Sequence, residues 1–214
     1  MRSQQSGFTL VEIAIVLVII GLLLGGILKG QELINSAKVK NLANDFRVIP
    51  TYIYAYQDKF KALPGDDPAA QTHLPGGAVA DNGNGNGVID GQWNSTTATD
   101  ESFMFWRHVR LANLAAGPTV LSDAEYVPKN AVSGILGVSS TTTAQIWITG
   151  MTGTYQVCSK GILGKFAKQL DIQMDDGKTE TGSMRAILDS SGAGVAVATG
   201  SIDEALPYTV CMTF

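Results

Sequence analysis

An apolar segment near the N-terminus constrains this chain more than any other feature. From Phe8 to Leu28 the sequence runs for 21 residues with Glu12 as its only charged side chain. At about 1.5 Å of rise per residue, a helix of this length spans about 31 Å, which matches the hydrocarbon core of a bilayer. A secretory signal would have a shorter apolar core and a small-x-small cleavage motif, and no such motif precedes Lys29. We therefore predict a membrane-spanning helix over residues 8–28.

Glu12 is expected to need a partner within this span. A carboxylate at the bilayer centre costs on the order of 3 kcal/mol, so an acid inside a span indicates a functional site by default. A plain membrane anchor explains the length of the segment but does not account for a charged residue within it. The basic residues do not fix the orientation of the span, because Arg2 precedes it while Lys29 and Lys38 follow it.

The residues around Glu12 carry a family resemblance. The run Ser6-Gly7-Phe8-Thr9-Leu10-Val11-Glu12, after a short polar leader with one basic residue, resembles the N-terminus of type IV pilins and of type II secretion pseudopilins. The resemblance implies that residues 1–7 are a leader, that prepilin peptidase cuts between Gly7 and Phe8, and that Phe8 becomes N-methylated. It also implies that Glu12 pairs with the new terminal amine of a neighbouring subunit. Such a pair is attractive in a low dielectric, whereas either charge alone is costly there.

The helical pattern continues beyond the span. Apolar residues recur mostly at spacings of three and four among polar ones, which predicts one helix over residues 8–61 whose second half offers an apolar stripe to a globular head. A bend is expected near Pro50, which lacks a backbone donor. The stripe comprises Leu33, Ile34, Val39, Leu42, Phe46, Ile49, Ile53, Tyr56 and Phe60.

Residues 62–214 are predicted to form the head. Two prolines and a glycine after Leu63 end the helix, and residues 62–100 show no strong periodicity, which favours a functional loop or one ordered by an ion. Short helices are expected over 101–115 and 162–170. Short β-rich runs are expected to pair as an antiparallel sheet, at 135–138, 144–149, 154–159, 184–188, 194–199 and 208–214.

An asparagine- and glycine-rich segment matches the first nine positions of a calcium loop. Oxygen ligands fall at alternate positions, and with Asn82 as position one the obligatory glycine falls at Gly87. The predicted ligands of a tentative calcium ion are Asp81, Asn82, Asn84, Asn86, the Val88 carbonyl and Asp90.

This calcium pattern departs from an EF-hand at its end. Position twelve is Trp93, where the EF-hand has a bidentate glutamate, so any affinity is expected to be weak. Asp100, Glu101 or Asp81 could supply the missing charge. The alternative is a turn cluster without metal, because asparagine and glycine both tolerate positive φ.

The chain has two cysteines, Cys158 and Cys211, each in a predicted strand. An even count in an exported domain favours one disulfide, with a reduced buried pair as the alternative. Closing a loop of about 54 residues would stabilise the head by roughly 4 kcal/mol. Their position resembles the disulfide that bounds the C-terminal region of many type IV pilins, which favours a pilus over a secretion system.

The sequence offers no catalytic constellation. We find no nucleophile with a base, no metal triad and no phosphate loop, since the Gly-Asn repeat lacks a terminal Gly-Lys-Ser/Thr. Neither His73 nor His108 has a cysteine or an acid at ligand spacing, which favours surface or interface positions. The net charge of −4 argues against a broad basic face for nucleic acid but leaves a local patch open.

These patterns predict an α+β, pilin-like fold, with a long N-terminal helix packed on a C-terminal antiparallel β-sheet head. The resemblance implies a structural subunit and not an enzyme, inserted in the bacterial inner membrane with its head in the periplasm and then polymerised at the cell surface. Its expected partners are other pilin subunits, prepilin peptidase and the inner-membrane assembly platform. The head of about 155 residues favours a minor pilin. A type II secretion pseudopilin, or a tip subunit for adhesion or DNA uptake, is the alternative.

Overall fold

The computed structural model describes residues 9–214. It contains four α-helices and four β-strands within that range. The helices are α1 (Leu10–Phe60), α2 (Ala70–His73), α3 (Glu101–Leu111) and α4 (Gly164–Met174). The strands are β1 (Leu136–Ser140), β2 (Tyr155–Leu163), β3 (Met184–Leu188) and β4 (Pro207–Thr213). The chain divides into two compact units, one ending at Ala37 and one running from Lys38 to Phe214.

The first unit consists, within the described residues, of the N-terminal part of α1. Nearly all of its side chains are exposed, including large apolar ones such as Leu10 at 87% and Leu22 at 73%. By length and composition α1 could cross a membrane, with a mean hydropathy of 2.8 over its most apolar window. Leu33 and Ile34, which the predicted stripe included, are also exposed here.

The second unit has its own hydrophobic core. One face of α1 is buried in it, contributed by Val39, Leu42, Ala43, Phe46, Ile49, Ile53 and Tyr56. The helix continues through Pro50, which lies inside it. Against this face pack apolar side chains of α3, α4 and the sheet, such as Phe105, Phe166 and Val157. The spacing of the buried α1 residues is that of an amphipathic helix, and their burial orients the head on α1.

The strands form one antiparallel sheet in the order β1-β2-β4-β3. Both edges of this sheet are covered by irregular chain. On the β1 edge, the backbone N–H groups of Leu136 and Ser140 donate to the carbonyls of Pro128 and Ile89. On the β3 edge, the N–H of Ala186 donates to Thr179, while its carbonyl accepts from Val197. The α+β, pilin-like layout predicted from the sequence is confirmed.

Two of the six predicted β-runs are not strands. Residues 144–149 and 194–199 form turns and irregular chain that meet in a single bridge between Ile148 and Gly194. Both runs are only six residues long, so tertiary contacts rather than intrinsic preference decide their conformation. The second short helix also begins later than predicted, because β2 continues to Leu163 and pairs there with Pro207.

Candidate functional site

Helix α1 begins with a reciprocal capping arrangement that involves Glu12. The Thr9 backbone N–H and hydroxyl both donate to Glu12 Oε2, each at 2.7 Å, and the Glu12 N–H approaches Thr9 Oγ1 at 3.3 Å. This is a capping box, in which Thr9 is the N-cap and Glu12 is the third helical residue. Glu12 therefore has a partner within its own chain.

The predicted leader and cleavage bond lie outside the described residues. Gly7 and Phe8 precede Thr9, so the structure does not describe the predicted cleavage site, the methylated residue or the pairing of Glu12 with a terminal amine. The structure does place Glu12 on the first turn of an exposed apolar helix. The sequence signal for its cap, a threonine three residues before a glutamate and ahead of an apolar run, was present but unused in the prediction.

The asparagine- and glycine-rich segment of residues 81–90, called the Asn-Gly loop below, brings together three of the predicted calcium ligands, Asn84, Asn86 and Asp90. The side-chain amides of Asn84 and Asn86 both donate to Asp90 Oδ2, at 3.1 and 2.9 Å. Their oxygens accept from backbone N–H groups two residues further on, which makes two successive Asx turns. The Val88 N–H is the donor in the second of these turns.

Two of the remaining predicted ligands, Asp81 and Asn82, have partners elsewhere. Asp81 is buried and forms an ion pair with Arg107, at 2.8 Å, while its second oxygen accepts from the Ala78 N–H. The Asn82 side chain accepts from the Gln71 N–H. Both residues fix the start of the loop to neighbouring segments.

Two buried carboxylates enter the loop: Glu101, which was one of the acids considered as a source of the missing charge, and Asp66, which was not predicted. Asp66 accepts from the backbone N–H groups of Gly85, Asn86 and Gly87, at 2.6, 3.0 and 2.7 Å. Glu101 accepts from the N–H groups of Asn84 and Asp90, at 2.9 and 3.0 Å.

The environment of Glu101 is unfavourable for negative charge. Burial raises its pKa, the nearby charges of Asp66 and Asp90 raise it further, and the two backbone donors offset only part of this effect. Glu101 also lines a polar cleft of about 270 Å³, together with Asn84, Asp90 and Asp100. A cation in this region would relieve the repulsion between these carboxylates.

Among residues 9–214, no group of three or more His, Cys, Asp or Glu side chains is placed to hold a metal ion. Calcium also accepts amide and carbonyl oxygens as ligands, and the loop supplies these from Asn84, Asn86 and Val88. The loop therefore contains oxygen atoms of the kinds that calcium binds.

A second cluster surrounds Asp67. One oxygen of this buried carboxylate accepts from the Tyr56 hydroxyl at 2.8 Å and lies 2.7 Å from His73 Nδ1, and the other accepts from the Ala69 N–H. Burial alone would raise the pKa of Asp67, but these three hydrogen bonds outweigh it and hold the pKa below its ordinary value. Asp67 and His73 line a cleft of about 660 Å³ at the end of α1.

The prediction that both histidines are surface or interface residues was wrong for His108. His108 is fully buried, its Nδ1 accepts from the Gly65 N–H, and its Nε2 donates to the Asp81 carbonyl. A backbone N–H can only donate, so His108 is the neutral tautomer with its proton on Nε2. Burial is the main cause of its lowered pKa. His73 is partly exposed, but its contact with Asp67 was not anticipated.

The two cysteines form a disulfide that joins the two central strands. Cys158 on β2 and Cys211 on β4 are directly opposed in the sheet register and are both fully buried. Trp93, Ile148 and Met151 pack around them in a separate apolar cluster. The segment that follows the Asn-Gly loop thus packs on the bonded strands through Trp93.

Comparison with protein families identifies the N-terminus. Residues 2–28 match the prokaryotic N-terminal methylation motif, which is the prepilin-type signal of type IV pilins and pseudopilins. The family resemblance predicted from the sequence is therefore confirmed for this segment. Neither the comparison with curated proteins nor that with solved structures gives a significant match.

Proposed function

We propose that this chain is a structural subunit of a type IV pilus, and specifically a minor pilin. The methylation motif at residues 2–28 carries this proposal, since it is the signal of exported pilin-type subunits that are cut by prepilin peptidase and assemble into polymers. The exposed apolar surface of α1 supports it. A helix of this length and hydropathy fits a membrane before assembly and a filament core afterwards.

In this proposal, cleavage after Gly7 frees the amine of Phe8 and Glu12 provides its countercharge in a neighbouring subunit. Glu12 is already held by Thr9 in the described structure. The carboxylate therefore enters assembly in a fixed orientation at the first turn of α1. Its internal hydrogen bonds reduce the cost of holding a charge in the membrane until the partner amine arrives.

A pilus is favoured over a secretion pseudopilus by the cysteine pair. The disulfide between Cys158 and Cys211 crosslinks the C-terminal strands of the head, as the resemblance to type IV pilins implied. Purified pili and secretion pseudopili from a strain with a tagged copy would separate the two assignments. Incorporation into pseudopili alone would contradict the pilus assignment.

Leader processing is tested by replacing Gly7 with valine. The peptidase must approach the backbone at this bond, and glycine presents no side chain there. We expect Gly7→Val to stay in the membrane at its unprocessed mass and to be absent from filaments. Ser6→Ala serves as the matched control and should mature normally. A Gly7→Val chain that matures to the mass of the wild type would refute the processing step.

We also propose that the loop around Asp66, Asp90 and Glu101 binds calcium weakly. The support is that Asp66 and Glu101 both accept hydrogen bonds from backbone N–H groups of the loop, and that the side-chain nitrogens of Asn84 and Asn86 both donate to Asp90. The ligand set would therefore include Asp66 and Glu101, whereas Asp81 and Asn82 keep their partners elsewhere in the fold. Calcium would neutralise the carboxylates and tie the loop to the end of α1.

Calcium binding is tested by thermal unfolding of the detergent-solubilised full chain in calcium or in chelator. An ion that binds only the folded state raises the free energy of unfolding by about 1.4 kcal/mol at ten times its Kd. We expect 10 mM calcium to raise the Tm by a few degrees, and Asp90→Ala and Glu101→Gln to abolish the rise. Asp58→Asn, an exposed acid on α1, should keep it. Equal Tm values for the wild type in calcium and chelator would contradict calcium binding and favour a turn cluster without metal.

A further inference from the structure

The Asn-Gly loop contains three bonds of a chemically labile type, Asn82-Gly83, Asn84-Gly85 and Asn86-Gly87. At such a bond the glycine nitrogen can attack the asparagine side-chain carbon, because glycine has no side chain to obstruct it. A nitrogen–carbon bond forms, the bond to the side-chain nitrogen breaks and ammonia leaves. Water then opens the cyclic imide to aspartate or isoaspartate. The reaction needs the glycine N–H to lose its proton and its nitrogen to swing toward the side chain.

The structure holds each of these glycine N–H groups on an acceptor. The N–H of Gly83 donates to the Asp67 backbone carbonyl at 2.9 Å. The N–H groups of Gly85 and Gly87 donate to the two oxygens of the Asp66 carboxylate, and the Gly85 N–H also lies 3.2 Å from the Asp66 backbone carbonyl. Gly85 and Gly87 have φ values of +72° and +82°, which bend the loop around that carboxylate.

The reacting side chains are also fixed. The oxygens of Asn84 and Asn86 lie in Asx turns, and their nitrogens donate to Asp90. Both asparagines are exposed to solvent, so burial does not protect them. Protection must come from the hydrogen bonds, and those to an ionised carboxylate are the strongest in the loop.

We propose that Asp66 protects Asn84 and Asn86 against deamidation. Its buried carboxylate binds the two attacking nitrogens through their protons, which makes each proton harder to remove and each nitrogen harder to reorient. Loss of this protection would add carboxylates next to Asp66, Asp90 and Glu101 and would drive the loop apart by like-charge repulsion. Asp66 thereby keeps the chemical identity of the loop constant over the life of the subunit.

The three bonds provide an internal control. The N–H of Gly83 is held by a backbone carbonyl, so removing the Asp66 side chain leaves the protection of Asn82 in place. Asp66→Ala should therefore accelerate deamidation most at Asn86 and not at Asn82. The effect at Asn84 should be smaller than at Asn86, because the Gly85 N–H keeps the Asp66 backbone carbonyl as an acceptor. General unfolding of the loop would accelerate all three.

The test follows site-resolved deamidation by mass spectrometry of peptides from the full chain, incubated in detergent and chelator at mildly alkaline pH. We expect Asp66→Ala to raise the rate at Asn86 about tenfold over the wild type, the factor that corresponds to a lost interaction of about 1.4 kcal/mol, and the rate at Asn84 by a smaller factor. Asp58→Asn should match the wild type at all sites. The chelator keeps the result independent of any calcium.

Three results would overturn the proposal. Unchanged rates at Asn84 and Asn86 in Asp66→Ala would show that Asp66 does not protect them. Equal acceleration at Asn82 would assign the effect to loss of loop structure. Rates in the native wild type as fast as in the guanidinium-denatured chain would show that the folded loop gives no protection.

Discussion

At the scale of single residues, four buried carboxylates hold the segment between α1 and α3. Asp66, Asp67, Asp81 and Glu101 each accept hydrogen bonds from backbone groups of the segment between α1 and α3. This explains how about 40 residues with little regular structure adopt one conformation. The carboxylates replace the ladder of backbone hydrogen bonds that a helix or strand would supply.

Glu12 is expected to act in assembly and not in processing. Glu12→Leu makes the span more apolar and removes the countercharge of the partner amine, so we expect normal leader removal and reduced incorporation into filaments. Thr9→Val, which removes the hydroxyl of the cap, should lower incorporation less, and Thr9→Ser should restore it. The measurement is the ratio of filament-bound to membrane-bound subunit. Full incorporation of Glu12→Leu would contradict the pairing role.

Asp171 is expected to make the stability of the head depend on pH. Its carboxylate is buried, and burial, followed by the charges of Asp175 and Asp176, raises its pKa to about 6, with the backbone N–H groups of Gly177 and Lys178 offsetting only part of this effect. Because this folded pKa exceeds the unfolded value, the folded state binds the proton more tightly. The free energy of unfolding therefore falls as the pH rises from about 4 to about 6.

The pH effect is tested with Asp171→Asn, which cannot ionise. A pKa raised from 3.8 to about 6 corresponds to roughly 3 kcal/mol. We expect the wild type to lose up to that amount between pH 4 and pH 7 relative to Asp171→Asn, measured by urea unfolding of the full chain. Asp58→Asn is the control with an exposed acid. Parallel stability curves for the wild type and Asp171→Asn would contradict the assignment.

At the scale of elements, the disulfide holds the two central strands in register. Cys158 and Cys211 are separated by 53 positions in sequence, and the segment between them contains α4 and β3. The bond restricts this segment in the unfolded chain and stabilises the folded head. The α1 helix lies outside the loop that the bond closes, so membrane insertion does not depend on it.

Cys211→Ser should weaken the head without affecting insertion or leader removal. The expected loss is about 4 kcal/mol, a large part of the net stability of a domain. Limited proteolysis should cut within residues 159–210 faster than in the wild type, and Cys158→Ser should give the same pattern. Two free thiols in the native exported protein, measured by mass spectrometry without reductant, would remove the basis of this prediction.

At the scale of the whole molecule, the features that could be predicted from the sequence are those that depend on a local pattern of residues. The N-terminal motif, the long helix and all four strands follow from periodicity and composition that are continuous along the chain. The Asn-Gly loop was identified as a site, but its contacts were not, because Asp66 lies about 20 positions before it and only folding brings them together. Likewise, the contact between His73 and Asp67 was not predicted, because it forms only when the intervening residues fold into helix α2.

Because both edges of the sheet are covered, copies of the head can lie close together without pairing through their strands. An open strand edge is a template for pairing with any other open edge, and that risk grows steeply with local concentration. Here the irregular chain at Pro128, Ile89, Thr179 and Val197 already occupies backbone groups of both edge strands. Many copies could therefore stand side by side in an ordered array without fusing into β-aggregates. Contacts between copies would then be made by side chains and by α1, and single substitutions can change these contacts.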